Sequence, residues 1–175
     1  MLLIQMTGLS GAGKTSIARL TIPLLEEQGL AAEVIDGDEY RKTLCKDLGF
    51  SKADRHENIR RLGKLAYDLT RDGKIAIIAA INPYEEIRNE LKEKYAAKTV
   101  WINCSKEELI VRDTKGLYKR ALLPDGHPDK VKNLTGISDV YEEPPSPDLT
   151  ILTHTESADD SARQLFQFII HSLKQ

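Results

Sequence analysis

The segment that most constrains the fold of this chain is residues 8–15, which read GLSGAGKT. It matches the phosphate-binding loop pattern G-x-x-x-x-G-K-[ST] at every position. An apolar run at 2–6 precedes it, and residues 16–22 carry apolar side chains three and four positions apart, as in a helix. A strand that leads through a glycine-rich turn into a helix gathers unpaired backbone N–H groups at the positive end of the helix dipole. The segment therefore predicts a site for the phosphates of a nucleotide.

Two side chains of this loop have specific roles in such sites. Lys14 can reach the β- and γ-phosphates of ATP, and the hydroxyl of Thr15 can ligate Mg²⁺. The alternative interpretation is a glycine-rich turn with a chance lysine, but the strand before the loop and the helix after it favour nucleotide binding. The residues that we expect to bind the nucleotide here are Gly8, Leu9, Ser10, Gly11, Ala12, Gly13, Lys14, Thr15 and Ser16.

The composition is typical of a compact enzyme. A chain of 175 residues is long enough to bury a core, and we expect one domain over residues 1–175. The formal net charge of −2 gives no electrostatic footprint for nucleic acid or a membrane surface. No run of about 18 apolar residues and no signal peptide are visible, so we expect a cytoplasmic protein. Cys45 and Cys104 lack metal-ligand spacing and are expected to be buried thiols.

Strand and helix patterns alternate along the chain. This alternation predicts an α/β protein with the three-layer P-loop NTPase fold, in which a five-stranded parallel sheet carries helices on both faces. A polar insertion at 124–130, which contains Pro and Gly, indicates a mobile loop. Strands are predicted at 2–6, 34–35, 74–81, 99–103 and 149–152, and helices near 14–28, 52–72, 85–97, 105–112 and 158–173.

Two carboxylates, Asp36 and Asp38, follow the second predicted strand. In an open parallel sheet, ligands bind outside the carboxyl ends of the strands. One carboxylate at this position can hold the hydration shell of Mg²⁺, and the other can accept a proton from an attacking hydroxyl. The alternative is a turn in which Asp38 caps the next helix. The neighbouring phosphate loop favours the functional interpretation.

The third predicted helix begins with a capping pattern and carries regularly spaced polar side chains. Ser51 is a plausible N-cap with Asp54 three positions later. Arg55, Asn58 and Arg61 recur every three residues and can share a face, where arginines that point inward need an anion. A solvated basic face is the better interpretation on spacing alone.

These motifs together resemble those of the adenylylsulfate kinase (APS kinase) family. The blocks DRHENIRR at 54–61 and KGLYK at 115–119 are far more specific than the phosphate loop. The resemblance implies ATP-dependent phosphorylation of the 3′-hydroxyl of adenosine 5′-phosphosulfate (APS), with ATP and Mg²⁺ bound and a lid at about 113–138. The matching segments, which occur in the order typical of the family, are 8–15, 36–41, 44–61, 112–119 and 134–142.

The resemblance also implies individual roles. The catalytic residues would be Lys14, Asp36, Asp38 and Lys115, with Asp38 beside the acceptor hydroxyl as base or orienting carboxylate. Asp36 and Thr15 would lie on the Mg²⁺ side, and Arg112 would lie against the adenine of ATP. Arg41, Arg55 and Asn58 would bind the phosphosulfate and ribose, Phe50 would stack on the acceptor adenine, and the lid would close over the acceptor. The acceptor-binding residues implied in this way are Asp38, Arg41, Phe50, Arg55, Asn58, Ile81, Asn82, Lys115, Gly116, Leu117 and Leu134.

The chain departs from the family pattern at three places. Asn82 replaces the serine of the usual Ile-Ser-Pro, which excludes a serine phosphate there. Leu134 replaces a second stacking aromatic, a loss of about 1 kcal/mol in purine binding. The lid carries an insertion at 122–128. The alternative functions are a related kinase for another small alcohol or sugar and a non-catalytic nucleotide-binding protein.

The last predicted helix carries an apolar stripe formed by Leu165, Phe166, Ile169 and Ile170. We interpret this stripe as a packing face within the chain, although such a face could also contribute to a homodimer. Beyond the small-molecule acceptor and this second copy, the sequence predicts no partner.

Overall fold

The computed structural model describes residues 1–174, so the last residue of the predicted domain lies outside the described residues. Five parallel strands form one sheet in the order β2-β3-β1-β4-β5. The α/β fold predicted from the alternating pattern is confirmed. The elements in chain order are β1 (Leu3–Thr7), α1 (Lys14–Glu26), β2 (Ala32–Asp36), α2 (Gly37–Tyr40), α3 (Lys52–Arg71), β3 (Ile75–Ala79), α4 (Glu85–Tyr95), β4 (Lys98–Asn103), α5 (Lys106–Arg112), α6 (Leu117–Ala121), β5 (Leu149–Leu152) and α7 (Ala158–Ser172).

The two strands that are buried at every residue, β1 and β3, lie side by side in the middle of the sheet. β3 is apolar at every position, as expected for a strand that is covered by helices on each face, whereas β1 also buries the polar side chains of Gln5 and Thr7. Their register pairs Ile4 with Ile77 and Met6 with Ala79. The phosphate loop, which follows β1, is thereby held at the centre of the sheet edge.

A separate hydrophobic core lies on each face of the sheet. On one face, Ile17 and Leu25 of α1 pack with Leu165 and Ile169 of α7. On the other face, Leu62 of α3 packs with residues of α4 that include Ile87 and Leu91. The three-layer prediction is therefore confirmed, and the apolar stripe of α7 is a packing face within this chain.

Helix α3 begins as its sequence predicts. The hydroxyl oxygen of Ser51 accepts a hydrogen bond from the backbone N–H of Asp54 at 3.1 Å, and the hydroxyl donates to the Asp54 carboxylate at 2.6 Å. This satisfies one of the free N–H groups at the helix start, a contribution of about 1 kcal/mol. The cap fixes the point at which α3 leaves the site.

Three local features differ from the predictions. The third strand ends at Ala79 rather than at 81, because the chain turns at Asn82, whose φ is 46°. The short helices α2 and α6 were not predicted, since one turn of helix shows no apolar period. Helix α6 forms in the lid because the carboxylate of Asp113 accepts hydrogen bonds from the backbone N–H groups of Tyr118 and Lys119.

Cys45 and Cys104 are both buried and free, as predicted. None of the helices within residues 1–174 is long and apolar enough to cross a membrane.

Candidate active site

The phosphate loop is open to an anion at the start of α1. Gly13 precedes the helix with a φ of 102°, a left-handed conformation that glycine adopts without strain. Since no side chain caps this helix, the first N–H groups remain available to a ligand. The side chains of Leu9 and Ala12 turn into the hydrophobic core, so these two residues face the site with their backbone.

Lys14 is buried beneath the loop. Its ammonium group donates hydrogen bonds to the carbonyl oxygens of Gly8 and Leu9, each at 2.8 Å. Burial, followed by the positive charge of Lys115, lowers the pKa of Lys14 to about 7. Without an anion beside it, this ammonium is therefore only weakly held in its charged form near neutral pH.

Thr15 and Asp36 meet beside the loop. The Thr15 hydroxyl donates to a carboxylate oxygen of Asp36 at 3.0 Å, and the other carboxylate oxygen accepts from the backbone N–H of Asp38 at 2.9 Å. Asp36, rather than Asp38, is thus the N-cap of α2, which corrects the alternative considered from the sequence. Oxygen ligands of this kind suit Mg²⁺.

Asp38 lies at the mouth of the site with its carboxylate largely exposed, and it contacts the ammonium of Lys115 from the lid. Two residues that are far apart in sequence, one after β2 and one before α6, therefore meet in space. The Asp38 carboxylate does not cap the helix, and its exposed pair with Lys115 leaves it accessible to a ligand.

One cavity of about 560 Å³ joins the phosphate loop to the lid. It contains most of the predicted nucleotide and acceptor residues, and it adds lid residues that the sequence did not single out. Its lining residues are Ser10, Gly11, Gly13, Lys14, Thr15, Ser16, Asp38, Phe50, Arg55, Ala79, Ala80, Ile81, Thr114, Lys115, Leu117, Val131, Lys132, Asn133, Leu134 and Thr135.

A smaller cavity of about 190 Å³ adjoins the first. The two share five lining residues, so both open onto the same acidic, basic and aromatic side chains; these residues are Asp38, Phe50, Arg55, Ala80 and Ile81. The residues that line only the smaller cavity are Gly37, Arg41, Asn58, Ile59, Asn82 and Pro83.

Phe50 projects between the two cavities and is 55% exposed. The guanidinium of Arg41 lies 4.8 Å from its ring centroid, and that of Arg55 lies 5.5 Å away. Burial, followed by the charge of Arg55, lowers the pKa of Arg41. An exposed aromatic ring beside two cations fits a planar ligand that carries negative charge.

The three residues of α3 that were considered as one face lie in different environments. Arg55 and Asn58 are buried and line the smaller cavity, as the inward-facing interpretation requires. Arg61 instead pairs with Asp47 at 2.7 Å and with Glu57 at 2.9 Å. Because positions 55 and 61 are about 120° apart around a helix, the predicted common face was wrong for Arg61.

Asn82 lines the smaller cavity, but its side chain is held by the protein beneath it. It is 1% exposed, and its amide nitrogen donates to the side-chain oxygen of Gln5 at 3.1 Å. The amide of Gln5 in turn donates to the carbonyl oxygen of Arg88 at 2.9 Å, which fixes the orientation of both amides. Only the side-chain oxygen of Asn82, which has no partner in the described residues, remains for a ligand. Ile81 lines both cavities.

The lid is tied to the phosphate loop at two points. The hydroxyl of Tyr118 in α6 donates to the carbonyl oxygen of Ser10 at 2.8 Å. Gly136, with a φ of 87°, packs so closely that a Cβ atom there would lie 2.6 Å from Leu9. Leu134 is buried next to this contact and contributes an aliphatic wall where an aromatic ring was expected from the family pattern.

Arg112 lies on the other side of the phosphate loop. Its guanidinium donates to the carbonyl oxygen of Thr153 at 2.8 Å and to the carboxylate of Glu108 at 3.0 Å. A cavity of about 280 Å³ beside it is also lined by Gly13, Ser16, Thr153 and Glu156. This placement separates Arg112 from the acceptor residues and puts it next to the first turn of α1.

Several residues of this site were missed from the sequence. Thr114 adjoins the predicted Lys115 and is an extension of the same motif. Val131, Lys132 and Thr135 lie in the lid segment that returns to the site. Thr135 belongs to the matching segment 134–142, and only nearness to Leu134 signals the other two. Residues in loops carry no periodic pattern, so position in the sequence alone does not place them.

A family model described as adenylylsulphate kinase matches residues 1–152 of the chain. An adenylyl-sulfate kinase from Gloeothece citriformis is 43% identical over 173 residues, which cover 98% of this chain and 93% of the relative. One from Picosynechococcus sp. is 41% identical over 165 residues, which cover 94% and 90%. The structure of Mycobacterium tuberculosis APS kinase in complex with AMPPNP and APS is similar at a TM-score of 0.87 and 35% identity, with 96% of each chain covered. The similarity thus spans the phosphate loop, the strand ends and the lid.

Proposed function

The chain belongs to the adenylylsulphate kinase family and is a kinase, and from this premise we propose that it transfers the γ-phosphate of MgATP to the 3′-hydroxyl of APS. The observation that carries this proposal is the single cavity that holds Lys14, Asp38 and Phe50 together. A phosphate-binding loop, an accessible carboxylate and an exposed aromatic ring are the parts needed to bring a donor phosphate to the hydroxyl of a nucleotide.

The donor binds along the phosphate loop. The free N–H groups of the loop receive the phosphates, and the ammonium of Lys14 moves from the carbonyl oxygens of Gly8 and Leu9 to the β- and γ-phosphate oxygens. Arg112 lies where its planar guanidinium can stack on the adenine of ATP.

Thr15 and Asp36 would hold Mg²⁺. Their oxygen atoms lie 3.0 Å apart beside the loop, and hydroxyl and carboxylate oxygens are the ligands that this ion prefers. No group of three or more His, Cys, Asp or Glu side chains suited to a metal occurs within residues 1–174, which agrees with an ion held mainly by phosphates and water. When bound, Mg²⁺ supplies neutralisation of the charge on the transferred phosphate.

The acceptor binds between α3 and the lid. Its adenine stacks on Phe50 with Leu134 and Leu117 on the lid side, and Arg41, Arg55 and Asn58 bind the phosphosulfate and ribose. The backbone at Gly116 completes the cover. The 3′-hydroxyl is then placed beside Asp38.

In the transfer step, the 3′-oxygen forms a bond to the γ-phosphorus while the bond from phosphorus to the β,γ-bridging oxygen breaks. Asp38 orients the hydroxyl and accepts its proton, and the products are 3′-phosphoadenosine 5′-phosphosulfate and ADP. Lys14 and Lys115 stabilise the charge that develops on the phosphate oxygens.

We further propose that residues 113–138 move as a lid and that its contacts with the phosphate loop at Tyr118 and Gly136 change when ATP binds.

The two buried free thiols fit a reducing compartment such as the cytoplasm.

The test is an ADP-release assay with purified protein, MgATP and a panel of acceptors that includes APS, adenosine 5′-phosphate and several sugars. We expect ADP release with APS and little with the other acceptors. Turnover that responds to a sugar and not to APS would favour a related acceptor. ATP affinity without any acceptor-dependent ADP release would instead indicate a non-catalytic binding protein, and either result would overturn the proposal.

A further inference from the structure

We propose that Asp139 is a positioning residue for acceptor binding, which acts by holding the guanidinium of Arg55 in the orientation that the acceptor requires. The inference rests on the proposed function, because it gives Asp139 a role in binding the APS phosphosulfate. Asp139 lies behind the acceptor cavities and lines neither of them.

Arg55 is almost fully buried, with 7% of its side chain exposed. Its Nη2 lies 2.7 Å from a carboxylate oxygen of Asp139 and donates to the carbonyl oxygen of Asn133 at 3.0 Å. Its Nε donates to the carbonyl oxygen of Phe50 at 3.0 Å. Among the described residues, Nη1 donates no hydrogen bond, and it is the edge of the guanidinium left for a ligand in the cavities that Arg55 lines.

Asp139 is itself held by the backbone around it. Its N–H donates to the carbonyl oxygen of Leu134 at 3.1 Å, and its carbonyl oxygen accepts from Gly136 at 2.8 Å. The carboxylate oxygen that does not face Arg55 accepts from the N–H of Val140 at 2.8 Å. The carboxylate therefore has one fixed orientation, with its other oxygen directed at the guanidinium.

These contacts connect three parts of the site through one side chain. Arg55 joins the aromatic residue Phe50, the lid segment at Asn133 and the turn that holds Asp139. A guanidinium whose orientation is already fixed loses less side-chain entropy when it donates to an anion than a mobile guanidinium does. Removal of the carboxylate leaves a buried guanidinium without its counter-charge, which is a costly arrangement.

The carboxylate also has an opposite effect, because its negative charge opposes an anionic acceptor. The two effects predict different signs for the Asp139→Asn variant. If orientation dominates, as we propose, acceptor binding weakens when the carboxylate becomes an amide. If repulsion dominated, acceptor binding would strengthen.

The experiment compares Asp139→Asn with Asp125→Asn, a matched change at a fully exposed lid carboxylate that pairs with Lys130. We expect Asp139→Asn to raise the KM for APS about tenfold or more, which corresponds to roughly 1.4 kcal/mol of binding free energy. The kcat and the KM for ATP should stay within about threefold of the parent values, and Asp125→Asn should change none of the three. An unchanged or lower KM for APS in folded Asp139→Asn would overturn the inference.

A second measurement separates positioning from a general loss of structure. In an Arg55→Met background, Asp139→Asn should raise the KM for APS no further, because the group that it positions is gone. Full additivity of the two effects would overturn the inference. If Asp139→Asn does not fold, Asp139→Glu keeps the charge and displaces it by one methylene, so the same non-additivity is measured with that variant.

The two proposals fail in different ways. A parent protein without APS-dependent turnover overturns the proposed function. A fully active parent whose Asp139→Asn variant behaves like Asp125→Asn overturns only the role of Asp139.

Discussion

The ammonium of Lys115 contacts the carboxylate of Asp38 across the mouth of the cavity, although 77 positions separate the two residues in the chain. About half of the Lys115 side chain and 70% of that of Asp38 are exposed. A solvent-exposed ion pair of this kind contributes only about 0–1 kcal/mol to folding stability. A phosphate group can therefore readily replace the carboxylate as the partner of the ammonium. The pair therefore places a lid cation beside the candidate base before either substrate is present.

The first prediction concerns Asp38. Asp38→Asn should lower kcat by roughly 100-fold to 10,000-fold, because the amide cannot accept the hydroxyl proton. ATP affinity should remain within about threefold, and both quantities are measured by ADP release and by equilibrium titration. Glu39→Gln, the same change at the next residue, should leave kcat unaltered. A near-normal kcat in Asp38→Asn would remove this carboxylate from the mechanism.

The second prediction concerns protons taken up on ATP binding. Because the pKa of Lys14 is lowered to about 7, most of the free protein carries a neutral Lys14 at pH 8. Phosphate oxygens beside this amine favour its charged form, so ATP binding at pH 8 should take up nearly one proton. The uptake should fade as the pH falls towards 6, where Lys14 is already protonated before ATP binds.

Calorimetric titration with ATP in buffers of different ionisation enthalpy measures this uptake. Adenosine, which lacks phosphates, should cause none, and Lys14→Met should abolish it. An equal uptake in Lys14→Met would assign the proton to another group.

The third prediction uses the aliphatic wall at Leu134. Leu134→Phe would restore an aromatic partner opposite Phe50, and a stacking gain of about 1 kcal/mol should lower the KM for APS roughly fivefold. Since Leu134 is buried, the larger ring should also cost about 1–3 kcal/mol of folding stability. Both effects are measured, by kinetics and by thermal unfolding, with the volume-conserving Leu134→Met as control. A folded Leu134→Phe protein with an unchanged KM would contradict the stacking geometry.

The fourth prediction concerns the contribution of Asn82 to folding stability. Asn82→Ala removes the hydrogen bond to Gln5, leaves a buried amide oxygen without its donor and puts alanine at a φ of 46°. Together these changes should destabilise the fold by about 2–4 kcal/mol in urea unfolding. The exposed Asn89→Ala in α4 should shift stability by less than about 0.5 kcal/mol. Equal stability of the two variants would show that the turn does not depend on this amide.

The sheet and the donor half of the site follow from local sequence. Apolar runs such as residues 75–79 predict strands that are buried on both faces, and the phosphate loop between β1 and α1 lies where its motif requires. Asp36 and Asp38 were placed correctly because ligands meet the carboxyl ends of parallel strands. The roles of the two differ, however, because the hydrogen bonds of Asp36 to Thr15 and to the backbone of Asp38 are set by the folded chain.

The contact between Arg55 and Asp139 could not be predicted from local sequence. Arg55 and Arg61 occur in the same helix, and both are arginines near carboxylates in sequence. Which one faces the cavity depends on the turn that brings Asp139 against α3, a contact between distant segments. The spacing of residues gives the angle between their side chains around a helix, but it does not show which part of the chain packs against each side.

The close contact between Gly136 and Leu9 limits how the specificity of this enzyme can evolve. Any side chain at position 136 would push against the side chain of Leu9 in the phosphate loop and would hold a φ of 87° that residues other than glycine rarely adopt, so a change meant for one substrate would disturb the loop that we propose binds the other. Adaptation to a new acceptor is thereby directed to positions such as 134, whose side chain already forms part of the cavity wall.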